Sequence, residues 1–342
     1  MHSVTLVQRA HVRRGHLLRR VVLGASTGLL VLTAVAPAAH AAPPIRIAAA
    51  GGVLHVTGTP FADSIVLRPA DGDPATGEVD INDDGAADFS FPVADFSTVI
   101  VDGVNGNDHL AVDTSHEAFP ASLTIVLSGG RGDDDLVGGL GHQVLLGGPG
   151  DDTIDGNQGA DDQFGGSGND VIRWDPGDGS DLVDGGTGFD TMLFFGSAGS
   201  EIFHAAQNGS RVTFTRNLGN IVMDLNDTER IDLRPLAGND DLTVDNITGT
   251  DLRRIDVDEG GDGFIDTVTV NGSAAADTFH VAADGGTVSV SRAGAPTVRV
   301  SGADFESDFG QSDQLTVAGL GGADSFDVGQ GVTDLLQLNT ID

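Results

Sequence analysis

The chain has 342 residues, of which 51 are acidic and 17 basic, giving a formal net charge of −34. All 17 basic residues are Arg, and there is no Cys. This balance excludes nucleic acid and anionic membrane as partners, leaves no disulfide to brace the fold, and favours divalent cations.

The first 41 residues differ from the rest. Arg9, Arg13, Arg14, Arg19 and Arg20 precede an apolar run at 21–36, and Ala39-His40-Ala41 follows with no acid before it. This order predicts a secretory signal peptide over 1–41, cleaved near Ala41. The apolar run is shorter than the roughly 20 residues a membrane span needs, so no span is expected after cleavage. Arg19-Arg20 leaves the export route open between the general secretory and twin-arginine pathways. The expected mature chain carries 12 Arg against 51 acids, a net charge of −39, and its expected location is secreted, extracellular.

From 42 to 128 the pattern is short β-branched alternation, at 53–57, 97–101 and 123–127, punctuated by Gly, Asn and Asp. No segment reads as an amphipathic helix. Residues 80–88 spell D-x-N-x-D-G-x-x-D. Asp80, Asn82, Asp84 and Asp88 would therefore ring a Gly-permitted turn as candidate ligands for one further Ca2+. Phe91 stands where an EF-hand has its bidentate Glu, and a solvated acidic turn is the rival reading.

Residues 129–193 repeat G-G-x-G-x-D-x-U-x, with U apolar: GGRGDDDLV, GGLGHQVLL, GGPGDDTID, GNQGADDQF, GGSGNDVIR, then Trp174-Asp175, then PGDGSDLVD and GGTGFDTML. The glycines, Gly130, Gly132, Gly148, Gly150, Gly166 and Gly168 among them, permit tight turns with converging carbonyls. The Asp that ends each turn adds a hard anionic oxygen. Such an all-oxygen donor set suits Ca2+ rather than zinc or copper. The remaining tripeptide is a minimal strand. Nine residues per turn and strand make 18 per coil, so units two apart stack at about 4.8 Å. The block holds 14 acids and two Arg. Without metal it should repel itself and stay disordered, and about four Ca2+ would supply about +8. The rival reading is a flexible Gly/Asp linker.

These units resemble the RTX, or hemolysin-type, calcium-binding repeat of secreted bacterial proteins. The resemblance is strong over 129–193, about a fifth of the chain. It implies a parallel β-roll with calcium between stacked turns. Carried over, one row holds Asp134, Asp152, Asp170 and Asp190, with about three ions. The other holds Gln143, Asp161 and Asp181, with one good site between the two Asp residues and a weak or absent one at Gln143. Gln163 at an inward position, beside Phe164, threatens a register slip, and the Trp174-Asp175 insert interrupts the second row. Trp174 is expected to plug the insert.

Residues 194–342 return to alternation, at 211–215, 267–270, 287–291 and 297–301. Looser copies of the nonapeptide begin at Gly58, Gly103, Pro235, Gly272 and Gly319, and keep Asp63, Asp108, Asp240, Asp277 and Asp324 in sixth place. Their starts lie 45, 37 and 47 residues apart within each flank, which suggests a longer β repeat. A weaker calcium-loop echo runs over 258–266. His55, His109, His116, His142, His204 and His280 form no H-E-x-x-H pattern.

The fold expected is all-β, a parallel β-roll or β-solenoid. Its central calcium-binding nonapeptide block (129–193) has degenerate β-repeat regions on both sides (42–128 and 194–342). The function expected is a secreted, non-enzymatic calcium-binding protein that folds on Ca2+ outside the cell. It would serve as a structural or surface scaffold, with a cell-surface or extracellular polymer as its further partner. The alternative is a polysaccharide-active β-solenoid enzyme, for which Arg253-Arg254 with Asp256 is the one candidate cluster.

Overall fold

A computed structural model describes residues 45–115, 117–303 and 312–342, together with the backbone of Leu30–Thr33. Most of the expected signal peptide, and His116, lie outside the described residues. Leu30–Thr33 is a strand paired antiparallel with Arg46–Ala50. The chain forms two compact units, Met1–Asp170 and Val171–Asp342, whose boundary falls inside the nonapeptide block. Among the described residues there is no α-helix, only strands and short 3-10 turns.

In the first unit, strands stack in parallel in the order Val53–Thr57, Thr98–Asn105, Thr124–Arg131, Gln143–Pro149 and Asp162–Gly168. A second sheet stacks Ser64–Ala70, His109–Val112, Asp135–Val137 and Thr153–Asp155. Alternation selects which side chains go in. Val56, Val101, Leu127, Leu145 and Gln163 fall in one register row, and Ile65, Leu110, Leu136 and Ile154 in another; all are buried. Each coil thus drops a buried side chain from each sheet into a common core, apolar except at Gln163, and this burial is the source of its hydrophobic stabilisation.

The second unit repeats the scheme. Ile172, Met192, Ile231, Ile255 and Val298 make one parallel row, all fully buried. Trp174 fills the insert as expected. It is fully buried, stacks on Phe194 at 4.0 Å between centroids, and donates its indole N–H to the Gly179 carbonyl at 2.8 Å.

The flanks differ from the block by antiparallel excursions. Ser64–Ala70 turns into Asp73–Ile81 and Phe89–Pro92. Ile202–Asn208 pairs with Arg211–Arg216, and Thr278–Asp284 with Thr287–Arg292. The irregular spacing of the degenerate copies follows: they are turns of the same coil, lengthened by hairpins, rather than a separate longer repeat.

No register slip occurs at Gln163. Leu145 pairs with Gln163 and Leu146 with Phe164, in the same register as the coils before. The structure accepts the amide instead: Gln163 is fully buried, and neither its Oε1 nor its Nε2 has a hydrogen-bond partner. An unsatisfied buried amide costs about 1–3 kcal/mol. Gln163→Leu, which continues the aliphatic row, should raise stability by about that amount in chemical denaturation at saturating calcium. An unchanged or lower midpoint would show that this amide is satisfied in solution.

Candidate metal centre

Each strand of the first sheet runs into a turn that ends on an acid, buried at Asp108, Asp134, Asp152 and Asp170 and half-buried at Asp63. In the unit at 147–155, Asp152 is 1% exposed. Its Oδ1 accepts the backbone N–H of Asp134, one coil earlier, at 2.8 Å. Its Oδ2 has no partner. A Cβ placed on Gly147 would overlap that Oδ2 and lie 2.6 Å from the carbonyl oxygen of Gly165, one coil later. A carboxylate oxygen and a carbonyl oxygen therefore crowd the same glycine, and neither can donate a hydrogen bond to the other.

The bare glycines make this stacking possible. Gly148 has φ of 114° and Gly150 of 148°. A Cβ on Gly148 would overlap the Gly130 carbonyl, and one on Gly150 the Gly132 carbonyl. Gly166 and Gly168 ride in the same way on Gly148 and Gly150. The six glycines singled out in the sequence are thus the contact points between successive turns.

Part of each expected row is seen within the first unit. Asp108 N–H donates to Asp134 Oδ1 at 2.7 Å, and Asp152 N–H to Asp170 Oδ1 at 2.8 Å. On the other row, Gln143 N–H donates to Asp161 Oδ1 at 2.7 Å. Gln143 closes its own turn: Oε1 accepts Gly139 N–H at 2.8 Å and Nε2 donates to the Leu140 carbonyl at 3.2 Å. That turn has no bare oxygen to offer an ion. Asp181 and Asp190 lie in the second unit, each buried at the end of its own turn. There Asp190 N–H donates to Glu229 Oε2 at 2.9 Å.

The loop at 80–88 is a different object. Asp80 is fully buried, with Oδ2 held by Arg68 at 2.9 Å and Oδ1 by Asp84 N–H at 3.2 Å. Asp84 accepts from Ala86 N–H and Asp88 from Ile81 N–H, while Asn82 sits exposed at φ 76°. The internal guanidinium already neutralises the first of these four residues.

Asp256, the carboxylate of the alternative cluster, stands between Arg230 at 2.6 Å, Arg254 at 2.9 Å and Arg299 at 3.5 Å. It is engaged in an ion-pair lattice on one face of a sheet.

Among the described residues, no three His, Cys, Asp or Glu side chains converge as a metal cluster. A cation in the block would depend on one carboxylate per turn plus backbone carbonyls. The donor set fits Ca2+: hard oxygens only, with a buried, unpartnered carboxylate oxygen at Asp134 and Asp152.

Inspecting the sequence for Asp alone missed two members of the series that carry Glu in its place: Glu229, which accepts the Asp190 N–H, and Glu201. GSAGSEIFH, beginning at Gly196, carries Glu201 in sixth place, and Glu201 N–H donates to Asp240 Oδ1 at 2.7 Å. Its cation, Arg216, lies 15 residues away across the hairpin, so no local pattern announces it.

Burial makes these carboxyls hard to ionise. It raises Asp152 to about 6 and Asp108 to about 7, against the opposing hydrogen bond from the coil before, and neighbouring acids raise them further. Asp134 is raised for the same reason. The unfolded values lie near 3.9, so ionisation costs the metal-free fold. Its stability is fully present below about pH 4 and is lost as pH rises through about 6–7. In chelator, the thermal midpoint should be higher at pH 5 than at pH 8; in excess calcium, acid should lower it by competing for the carboxylates. A chelated protein more stable at pH 8 would refute this account.

A family model for the RTX calcium-binding nonapeptide repeat, in four copies, matches residues 126–142, 137–172 and 177–192. No curated protein matches the chain. Among the described residues no helix is long and apolar enough to cross a membrane. The nonapeptide period, the parallel all-β coil and the family match agree: the segments 126–172 and 177–192 carry RTX calcium-binding nonapeptide repeats.

Proposed function

We propose that this protein is an exported calcium-binding scaffold whose repeat block folds as it binds Ca2+ outside the cell. The carrying observation is the buried Asp152 Oδ2, which faces a carbonyl oxygen and has no donor. Repeated along a row, that arrangement accumulates negative charge. Bound calcium would supply the missing charge and tie successive turns together. Asp134, Asp152 and Asp170 would hold ions on one row with the glycine carbonyls, and Asp161, Asp181 and Asp190 complete the set. About four ions are proposed for 129–193. An ion at Asp80, Asn82, Asp84 and Asp88 would have to compete with Arg68, so the block is the proposed centre of binding.

Export is supported by the basic, apolar and A-x-A order of the first 41 residues. Cytosolic calcium is too scarce to fold such sites, whereas extracellular calcium suffices. The role proposed is non-enzymatic, as a structural or surface scaffold toward a cell-surface or extracellular polymer.

Calcium titration of the mature chain, followed by far-UV circular dichroism, tests the reading. Excess chelator should remove much of the β signal, and calcium should restore it cooperatively. A full β signal in chelator would overturn metal-coupled folding. Asp152→Ala should weaken calcium binding by about tenfold or more, since about 1.4 kcal/mol accounts for a factor of ten. Gln143→Ala should leave the affinity nearly unchanged.

A further inference from the structure

The turns of this coil fall into two classes, and the class is set by the second residue of each turn. In one class that residue donates its backbone N–H to the sixth side chain, closing the turn. Thr59 donates to Asp63 Oδ2 at 2.5 Å, Ser197 to Glu201 Oε2 at 2.7 Å, and Ser273 to Asp277 Oδ2 at 2.6 Å. Gly139 does the same to Gln143. None of these four second residues is left-handed. Two of the closed turns carry a guanidinium as well: Arg216 on Glu201, and Arg292 on Asp277 at 2.9 Å. Arg216 and Glu201 are both buried, and Arg292 and Asp277 nearly so.

In the other class the second residue is left-handed, as at Gly148 (φ 114°). The peptide plane is rotated, its N–H does not reach Asp152, and the Oδ2 of Asp152 is left bare. Three turns outside the nonapeptide block belong to this class although they lack the glycine: one has Leu320 at φ 69° and ends on Asp324, half-buried with an unpartnered Oδ2, and the other two end on buried carboxylates. Val104 has φ of 83° and Leu236 of 80°, a conformation such side chains rarely adopt. The carboxylates that follow them, Asp108 and Asp240, are 2% and 3% exposed, and the Oδ2 of each has no partner. At Asp108 the surroundings reproduce the Asp152 turn: a Cβ on Gly103 would overlap Asp108 Oδ2 and lie 2.6 Å from the Gly129 carbonyl oxygen. Its Oδ1 is likewise occupied, by Asp63 N–H at 2.7 Å. At Asp240, Oδ1 accepts Glu201 N–H, and Asp262 stands close by, its Oδ2 accepting Gly238 N–H at 3.1 Å.

We propose that the turns ending at Asp108 and Asp240 each hold a further Ca2+ ion outside the nonapeptide block, and that Arg216 and Arg292 are internal cations that replace calcium at Glu201 and Asp277. The inference rests on the calcium reading of the block. It adds a rule: a left-handed second residue opens the turn to a metal whether or not it is glycine. The handedness matters because it decides whether the carboxylate is capped by its own turn.

The test counts ions. Calcium bound per full chain is measured by equilibrium dialysis at saturating CaCl2 for the wild type and for Asp108→Asn, Asp240→Asn, Asp63→Asn and Asp152→Asn. Asn keeps the carbonyl oxygen that accepts the coil's N–H, and circular dichroism at saturating calcium verifies folding. Asp108 and Asp240 lie in different compact units, so each variant tests the rule independently. Asp108→Asn and Asp240→Asn should each lose one ion, and Asp63→Asn none. If both bind as many ions as the wild type while Asp152→Asn loses one, this inference is overturned and the reading of the block stands. A wild type that binds no calcium defeats both.

Discussion

The structure depends on one hydrogen bond, repeated: a buried carboxylate at the end of each turn accepts the backbone N–H of the corresponding residue one coil earlier. Asp63 donates to Asp108, Asp108 to Asp134, Asp134 to Asp152 and Asp152 to Asp170. In the second unit Glu201 donates to Asp240, Asp240 to Asp266 and Asp266 to Asp313. The bond sets the vertical register of the coils at the turn edge, as the parallel strands set it in the sheets. A hydrogen bond to a charged group contributes about 1.5–3 kcal/mol. It also takes the carboxylate out of water, and an uncompensated buried charge costs more than that, about several kcal/mol. The ladder therefore cannot stand by itself. Every rung needs a second donor or a cation for the other oxygen.

Much of this was legible in the sequence because the nonapeptide is a local code. Period, row assignment, the Asp positions and the glycine contact points all follow from residues within nine of one another, and the break at Gln143 reads directly as a lost charge. The edges of the strands outside the block were also legible, since β-branched alternation at 53–57, 211–215 and 297–301 needs no partner to be recognised.

What sequence reasoning missed lies one coil away. The coil spans 18 residues in the block but 26, 39, 45 or 47 elsewhere, because a longer loop (26) or an antiparallel hairpin (39, 45 and 47) lengthens it. A carboxylate and the cation that answers it can then be far apart in the chain yet adjacent in space, as Arg292 and Asp277 are across a hairpin. The flanks consequently look like a longer repeat when they are the same coil. The register at Gln163 was misjudged for a related reason. An inward amide looks like a reason to slip, but slipping by one residue would turn every inward side chain of that strand outward. Losing a row of buried apolar contacts costs more than one unsatisfied amide, so the strand stays in step.

Two sources of positive charge serve the same ladder, and they differ in when they are present. A guanidinium is covalently part of the chain and is charged at any physiological pH. The rungs at Glu201 and Asp277 can therefore form as soon as their hairpins do. Arg216 adds packing to charge, lying over the ring of Trp174 at 5.2 Å while it reaches Glu201. A divalent cation is absent until the environment provides it, so rungs such as Asp134 and Asp152 are conditional. Placing Arg at Glu201 and Asp277 and leaving Asp134 and Asp152 with a bare oxygen separates turns that carry their own counter-charge from turns that the proposed calcium would complete. Under the proposed calcium reading, ionic conditions outside the chain would select how much of the coil is ordered.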